Sequence, residues 1–241
     1  MHNEHHGADK PQRRGGCGLK VEWFAHASFL IEGDGRRIIT DPYTPGLMGF
    51  LPINETADMV IRSSSDDAGH CYAEMIPVDP IIATATEIDP QGEEIAGLTI
   101  TPIPTQESLI HKTEPGNNAM YRFNLEGMAI AHFGDVGNQL NEAQLAALEG
   151  SDILFVPTGG PPTIDLDDLC DAIEILQPRM VVPMHYQLPG CKFKMLPVTD
   201  FTTRFSPDSV MWIDGSEIEL TVGTLPAELR VIVLKPSTAA Q

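Results

Sequence analysis

The chain predicts a mixed α/β (α+β) fold: two stacked sheets covered by helices, an αββα sandwich in a single domain. Three observations predict it. Short apolar runs punctuated by Gly, Pro and Asp recur along the first half. Two segments in the second half carry clear helix start and stop signals. Beside these helices stand two nearly all-apolar runs, Ile153 to Val156 and Met180 to Pro183, which suit strands covered on at least one face by helices.

In chain order, Val21 to Phe24, Ser28 to Glu32 and Arg37 to Thr40 read as strands. The second and third are joined by Gly33-Asp34-Gly35, whose Asp-Gly pair supplies the positive φ of a tight hairpin. Asp41-Pro42 ends the third, because proline cannot continue the ladder. A Gly- and Pro-containing loop, Tyr43 to Glu55, leads to a short apolar strand, Met59 to Ile61. Pro77 to Gly97 is too broken to assign. Leu98 to Ile103 is a strand expected to end at Pro104, and a long loop from Thr105 to Asn118 follows. Ala119 to Leu125 and Met128 to Phe133 form a hairpin across Glu126-Gly127. Asn141 caps the first helix with Gln144 at N3, and Gly150 stops it. Asp165 caps the second, where Leu166, Leu169, Cys170, Ile173 and Leu176 share one face up to Pro178. Strands return at Ser209 to Ile213, Glu217 to Val222 and Leu229 to Leu234.

Composition narrows the function. A content of 42% apolar and 20% charged residues over 241 positions is ordinary for a soluble globular protein. No apolar run approaches the roughly 18 residues of a membrane span. Fifteen basic against 34 acidic residues leave a formal charge of −19, spread along the chain. Such a charge repels phosphate backbones and anionic headgroups, so neither nucleic acid nor membrane is an expected partner. A small-molecule substrate is expected, and self-association into a homo-oligomer stays open. Residues 1–18 hold three histidines and no apolar core; they read as a disordered leader before a domain over 19–241. The four cysteines, Cys17, Cys71, Cys170 and Cys191, form no CxxC pair, which fits a reducing cytoplasm.

The stretch from Ala57 to His70, ADMVIRSSSDDAGH, organises the candidate chemistry: an apolar strand that breaks into polar groups. The alternative is a solvated loop with capping serines and aspartates. Other strand ends also carry polar side chains: Glu107, Asp135 in AHFGDVG, and His185 in VVPMHYQ. A lone histidine at a strand end is more often structural; several polar ends together point to a shared site.

Six stretches carry a resemblance: WFAHASFLIEG (Trp23 to Gly33), ITDP (Ile39 to Pro42), ADMVI (Ala57 to Ile61), AHFGDVG (Ala131 to Gly137), PTGGPPTID (Pro157 to Asp165) and VVPMHY (Val181 to Tyr186). In order and spacing the chain resembles the metallo-β-lactamase superfamily, and within it the group of L-ascorbate-6-phosphate lactonases and related metal-dependent hydrolases. The resemblance implies an αββα fold and a site for one or two metal ions. Its ligands would come from a His-x-His-x-Asp-His signature after Met59 to Ile61, a middle His, a bridging Asp and a last His. Asp135 matches the bridging Asp and His185 the last His. The signature itself is altered. Its four ligand positions fall on Ser64, Asp66, Ala68 and Gly69, with His70 one residue late, and the middle His falls near Glu107.

Two readings follow from that departure. In one, carboxylates have replaced imidazoles, and Asp66, Asp67, His70, Glu107, Asp135 and His185 hold a divalent ion. So oxygen-rich a set favours manganese or iron over zinc. Asp135 and His185 would then serve hydrolysis of a small ester, lactone or phosphorylated metabolite by a metal-activated water. His26, Asp41, Ser64, Gly159, Gly160 and Tyr186 are expected to support the ligands or face the substrate. Arg62 or Lys112 could neutralise a phosphorylated one, and His111 is weighed as a substrate contact. In the other reading the metal site has decayed and the fold binds a ligand or partner without catalysis.

Overall fold

In the computed structural model, which describes residues 18–107 and 117–239, the first sheet grows out of the predicted hairpin. β1 (Leu19–Ala25), β2 (Ser28–Gly33) and β3 (Arg36–Thr40) pair antiparallel in that order. Asp34 and Gly35 take φ of 48° and 72°, the left-handed pair a two-residue turn needs. β4 (Met59–Arg62) and β5 (Ile81–Thr84) add in parallel to β3, so these strands open their C-terminal ends in one direction.

The second sheet starts as an antiparallel meander of β6 (Glu93–Ile95), β7 (Leu98–Gln106), β8 (Asn117–Leu125) and β9 (Met128–His132). β10 (Ile153–Pro157) and β11 (Met180–Met184) continue it in parallel, buried at every position as their all-apolar sequences require. β12 (Val210–Trp212), β13 (Glu217–Leu220) and β14 (Arg230–Val233) complete the strands. Among the described residues the sheet orders are β13-β1-β2-β3-β4-β5 and β12-β14-β11-β10-β9-β8-β7-β6.

β7 runs through Pro104, where the sequence predicted an end. The reason is local: β6 pairs only as far as Ile100, so from Pro102 onward β7 is an edge, where a residue without an N–H is tolerated. β5 and β6 lie in the stretch left unassigned. β5 sits at the rim of its sheet with Ile81 and Ile82 exposed, so no buried face marks it in the sequence.

Four α-helices are described: α1 (Pro45–Met48), α2 (Glu142–Leu148), α3 (Leu166–Leu176) and α4 (Val198–Thr202). α2 carries the predicted capping box. The Gln144 N–H donates to the Asn141 side chain and the Asn141 N–H to Gln144 Oε1, both at 3.0 Å. Asp165 does stand at the start of α3, but its carboxylate makes no capping hydrogen bond. α3 buries Leu166, Leu169, Ala172 and Ile173 and ends at Gln177, one residue before Pro178.

The sheets meet through an aromatic layer in which Phe29 of one packs on Phe155 of the other at 4.5 Å between ring centroids. His132 bridges them as well. The Gly134 N–H donates to its Nδ1 at 3.1 Å, so the proton sits on Nε2, which donates to the Ala27 carbonyl at 2.9 Å. Burial keeps this imidazole neutral by lowering its pKa. Two hairpin tips, one from each sheet, cap each other through Asp34 and Glu126. Each backbone N–H donates to the other's carboxylate, at 2.6 and 2.7 Å. No described helix is long and apolar enough to cross a membrane. Residues 1–17, His111 and Lys112 lie outside the described residues.

Candidate metal centre

Loops that follow strands of both sheets converge at one end of the sandwich. His26 sits in the two-residue turn between β1 and β2, Asp41 directly after β3, and Ser63 to His70 after β4. From the second sheet come Glu107 after β7, Asp135 after β9 and His185 after β11. His26, Asp41 and His185 all have positive φ, at 53°, 34° and 52°. Non-glycine residues rarely adopt this region, and such strain gathers where side chains must be aimed. The two histidine turns are locked together: the His185 N–H and the Trp23 indole N–H both donate to the His26 carbonyl at 3.1 Å.

The result is a buried cluster of three imidazoles. Ring centroids lie 3.8 Å apart for His26 and His185, 4.7 Å for His26 and His70, and 5.3 Å for His70 and His185. Two sets of ligand atoms lie within 4.8 Å of one another: His26, His70 and His185, and Asp67, His70 and Asp135. His70 belongs to both. Its Nδ1 faces Asp41 Oδ2 at 3.3 Å, which leaves Nε2 directed at Asp135 Oδ2, 3.7 Å away. A carboxylate behind a histidine is the usual device for orienting a metal-binding imidazole. Asp41 is itself fixed by the Ser63 N–H (2.6 Å) and the Ser63 hydroxyl (2.9 Å), both donating to it.

Protonation sorts these groups into two kinds. Burial, with His185 and His70 close by, pushes His26 well below the usual histidine range. Burial and His70 push His185 down to about 3. Both are therefore neutral and can offer a lone pair. For His70, burial opposes charge, but the Asp135 carboxylate and the Asp41 hydrogen bond outweigh it and hold the ring up at about 10. Burial pushes Asp135 up to about 8 against the pull of His70, with Asp67 and Glu107 adding to the rise.

The donors fit a divalent cation. His26 Nδ1, His185 Nδ1 and Asp135 Oδ1 are buried with no hydrogen-bond partner, and a native interior rarely leaves such groups unmet. Gly69 leaves room beside them: a Cβ there would meet Asp67 Oδ1 at 3.2 Å and His26 Nε2 at 3.5 Å. Above the cluster opens a cavity of about 460 Å³, with His26, Asp67, His70, Glu107, Asp135 and His185 in its lining. Leu47 and Met48 of α1, Pro162, Thr163 and Phe193 to Met195 also line it. Gly49 at the end of α1 (φ 90°) lies so close to the loop after β11 that a Cβ would stand 2.2 Å from the Gly190 carbonyl oxygen.

The structure thus brings together most of the residues the sequence proposed, and sets some apart. Asp66 is exposed and accepts from the Ser64 hydroxyl at 2.8 Å, while its neighbour Asp67 faces the cavity. Ser64 is buried behind that loop. Tyr186 is buried against Trp23, with its hydroxyl 3.5 Å from the Leu234 carbonyl, and is not in the cavity lining. Gly159 and Gly160 brace the wall from behind. A Cβ on Gly159 would meet the His185 carbonyl at 2.3 Å, and one on Gly160 would meet Leu196 at 2.6 Å. Arg62 is turned to Thr84 (2.8 Å) and the Cys71 carbonyl (3.3 Å). His26 is the main revision: the sequence placed it beside the site, and it stands in the imidazole cluster. Its motif position at a hairpin tip was the available signal.

A model of the beta-lactamase superfamily domain matches residues 20–185. The chain belongs to the beta-lactamase superfamily. Within this superfamily it is similar to a UPF0173 metal-dependent hydrolase of Carboxydothermus hydrogenoformans. That likeness is 27% identity over 191 residues, covering 70% of this chain and 84% of the relative. A Thermococcus onnurineus protein of the same description is 29% identical over 190 residues, with the same coverage. The structure is also similar to a Thermotoga maritima crystal structure, provisionally described as a Zn-dependent hydrolase of the metallo-β-lactamase superfamily. The TM-score is 0.70 at 32% identity, over 90% of this chain and 98% of that one. The superfamily fold expected from the six sequence stretches is the fold observed.

Proposed function

We propose that this chain is a metal-dependent hydrolase acting on a small ester, lactone or phosphorylated metabolite in the cytoplasm. A single divalent ion would be held by His26, His70, His185, Asp67 and Asp135. The observation that carries the reading is the convergence of these ligand groups, four of them buried and three with unpartnered atoms, on the floor of a small-molecule-sized cavity. Relatives described as metal-dependent hydrolases support it. Cys71, Cys170 and Cys191 are free, in keeping with a reducing compartment.

When bound, the ion supplies Lewis acidity that acidifies water and polarises a carbonyl or phosphoryl oxygen. The remaining work falls to the chain. Asp41 holds the proton of His70 on Nδ1, so that Nε2 stays directed into the site. Glu107 lies on the cavity wall, close enough to raise the Asp135 pKa and outside both ligand sets. In this reading its carboxylate takes up the proton that the attacking water releases and passes it to the leaving oxygen. A third imidazole makes the ligand set richer in nitrogen than the sequence suggested. Iron and zinc therefore move ahead of manganese.

The test is elemental analysis of protein lacking residues 1–17, so that the three histidines of that stretch cannot contribute. Near-stoichiometric iron, zinc or manganese, lost in Asp135→Ala and His185→Ala, is the expected result. Equal metal content in parent and both variants would overturn the assigned ligands. No binding of any of these ions would favour the non-catalytic reading.

A further inference from the structure

The floor of the cavity is ionic, but one side of its wall is largely apolar. Met48, Pro162 and Met195 line it, and Leu47 and Phe193 do so with 42% and 47% of their surfaces still exposed. Large apolar side chains left open around a cavity are surface waiting to be covered. The wall is also built to hold its place. The Lys192 N–H donates to the Met48 carbonyl at 3.1 Å, tying the loop to α1. At the loop's other end the Leu196 N–H donates to the Gly159 carbonyl at 2.8 Å.

Charge decides what the wall covers. Three carboxylates, Asp67, Glu107 and Asp135, line the cavity. Among the described residues Lys194 is the one lysine that lines it, and no arginine does. Recognition of a phosphoryl group beyond what a bound ion supplies calls for charge-assisted donors, typically arginine forks or backbone N–H groups. An uncharged substrate meets no such requirement and no repulsion from the acidic lining.

We propose that the cavity takes an uncharged carboxylic ester or lactone whose acyl chain lies against Leu47, Met48, Phe193 and Met195. This rests on the hydrolase reading above and narrows its three substrate classes to one. In the reaction, a water oxygen bonds to the acyl carbon and the acyl C–O bond breaks. The leaving oxygen takes a proton to become an alcohol, and the acid product loses its proton to solvent as a carboxylate.

The experiment uses the full chain, metal-loaded and metal-free. Rates on p-nitrophenyl esters from acetate to octanoate are compared with p-nitrophenyl phosphate. Binding of methyl ketones of the same chain lengths, neutral and not hydrolysable, is followed by calorimetry. Along the covered part of the chain, kcat/KM and ketone affinity should each rise about fourfold per methylene. Phe193→Ser and Leu47→Ser, both at exposed positions, should flatten that rise while metal content is retained. A flat chain-length dependence in both measurements, or a preference for the phosphate, overturns the acyl-chain assignment and leaves the hydrolase standing. Chain-length-dependent ketone binding without turnover of any substrate keeps the apolar site and overturns the hydrolase. Neither binding nor turnover overturns both.

Discussion

Adding a divalent ion to the metal-free protein at pH 7 is expected to expel protons, and the structure says from where. His26 and His185 are already neutral and contribute none. His70, held at about 10, and Asp135, pushed up to about 8, keep theirs and must lose them to coordinate. Each group protonated below its pKa costs about tenfold in apparent affinity per pH unit. The two face each other across 3.7 Å, so their protons are counted for the pair. Between about one and two protons should leave per ion at pH 7. The apparent association constant should climb roughly ten- to hundredfold per unit from pH 6 to 8. The sign is fixed: acid weakens binding. Isothermal titration calorimetry in two buffers of different ionisation enthalpy counts the protons directly. Asp135→Asn should lower the count. A binding enthalpy independent of the buffer, or an affinity that falls as pH rises, would refute this account of the site.

Other expectations follow from single contacts. His26→Ala removes one of three packed imidazoles and should weaken metal binding at least about tenfold in equilibrium dialysis; unchanged occupancy would remove His26 from the ligand set. Asp41→Ala strands three buried donors, the Ser63 N–H, the Ser63 hydroxyl and His70 Nδ1. It should cost about 3 kcal/mol in urea unfolding, and a loss below about 1 kcal/mol would contradict the network. In the metal-free protein, His70 binds its proton more tightly folded (about 10) than the ordinary histidine value of 6.5. Its stabilisation is complete below about 6.5 and gone above about 10. The thermal midpoint should therefore fall between pH 7 and 9.5, and a midpoint that holds or rises would count against the His70–Asp135 pairing.

Much of the frame was legible because each feature had a local cause. Asp34-Gly35 can close a tight hairpin unaided, and the Asn141 and Gln144 side chains each accept from the other's backbone N–H within a single helical turn. The all-apolar runs at β10 and β11 admit little but a covered strand. The site was legible only in pieces. Asp66 and Asp67 are chemically equivalent neighbours, and which of them faces the cavity depends on how the loop turns after β4. His26 lies far in sequence from His70 and His185; only the packing of one sheet on the other brings the three rings together. The apolar wall was not legible at all. Its side chains come from a four-residue helix and an irregular loop, neither of which has a periodicity to read.

The contact between Gly49 and Gly190 gives that wall an unusual property. Two main chains approach there with no side chain between them, so the spacing of α1 from the loop after β11 is set by a backbone contact. Mutation of the lining can change how a guest is gripped and with what chemistry, while the two main chains keep their spacing. That spacing would be inherited by every variant that keeps both glycines, whereas the lining would remain free to drift at positions 47, 193 and 195. Chains sharing this clasp should differ in what they prefer more readily than in how α1 sits against that loop.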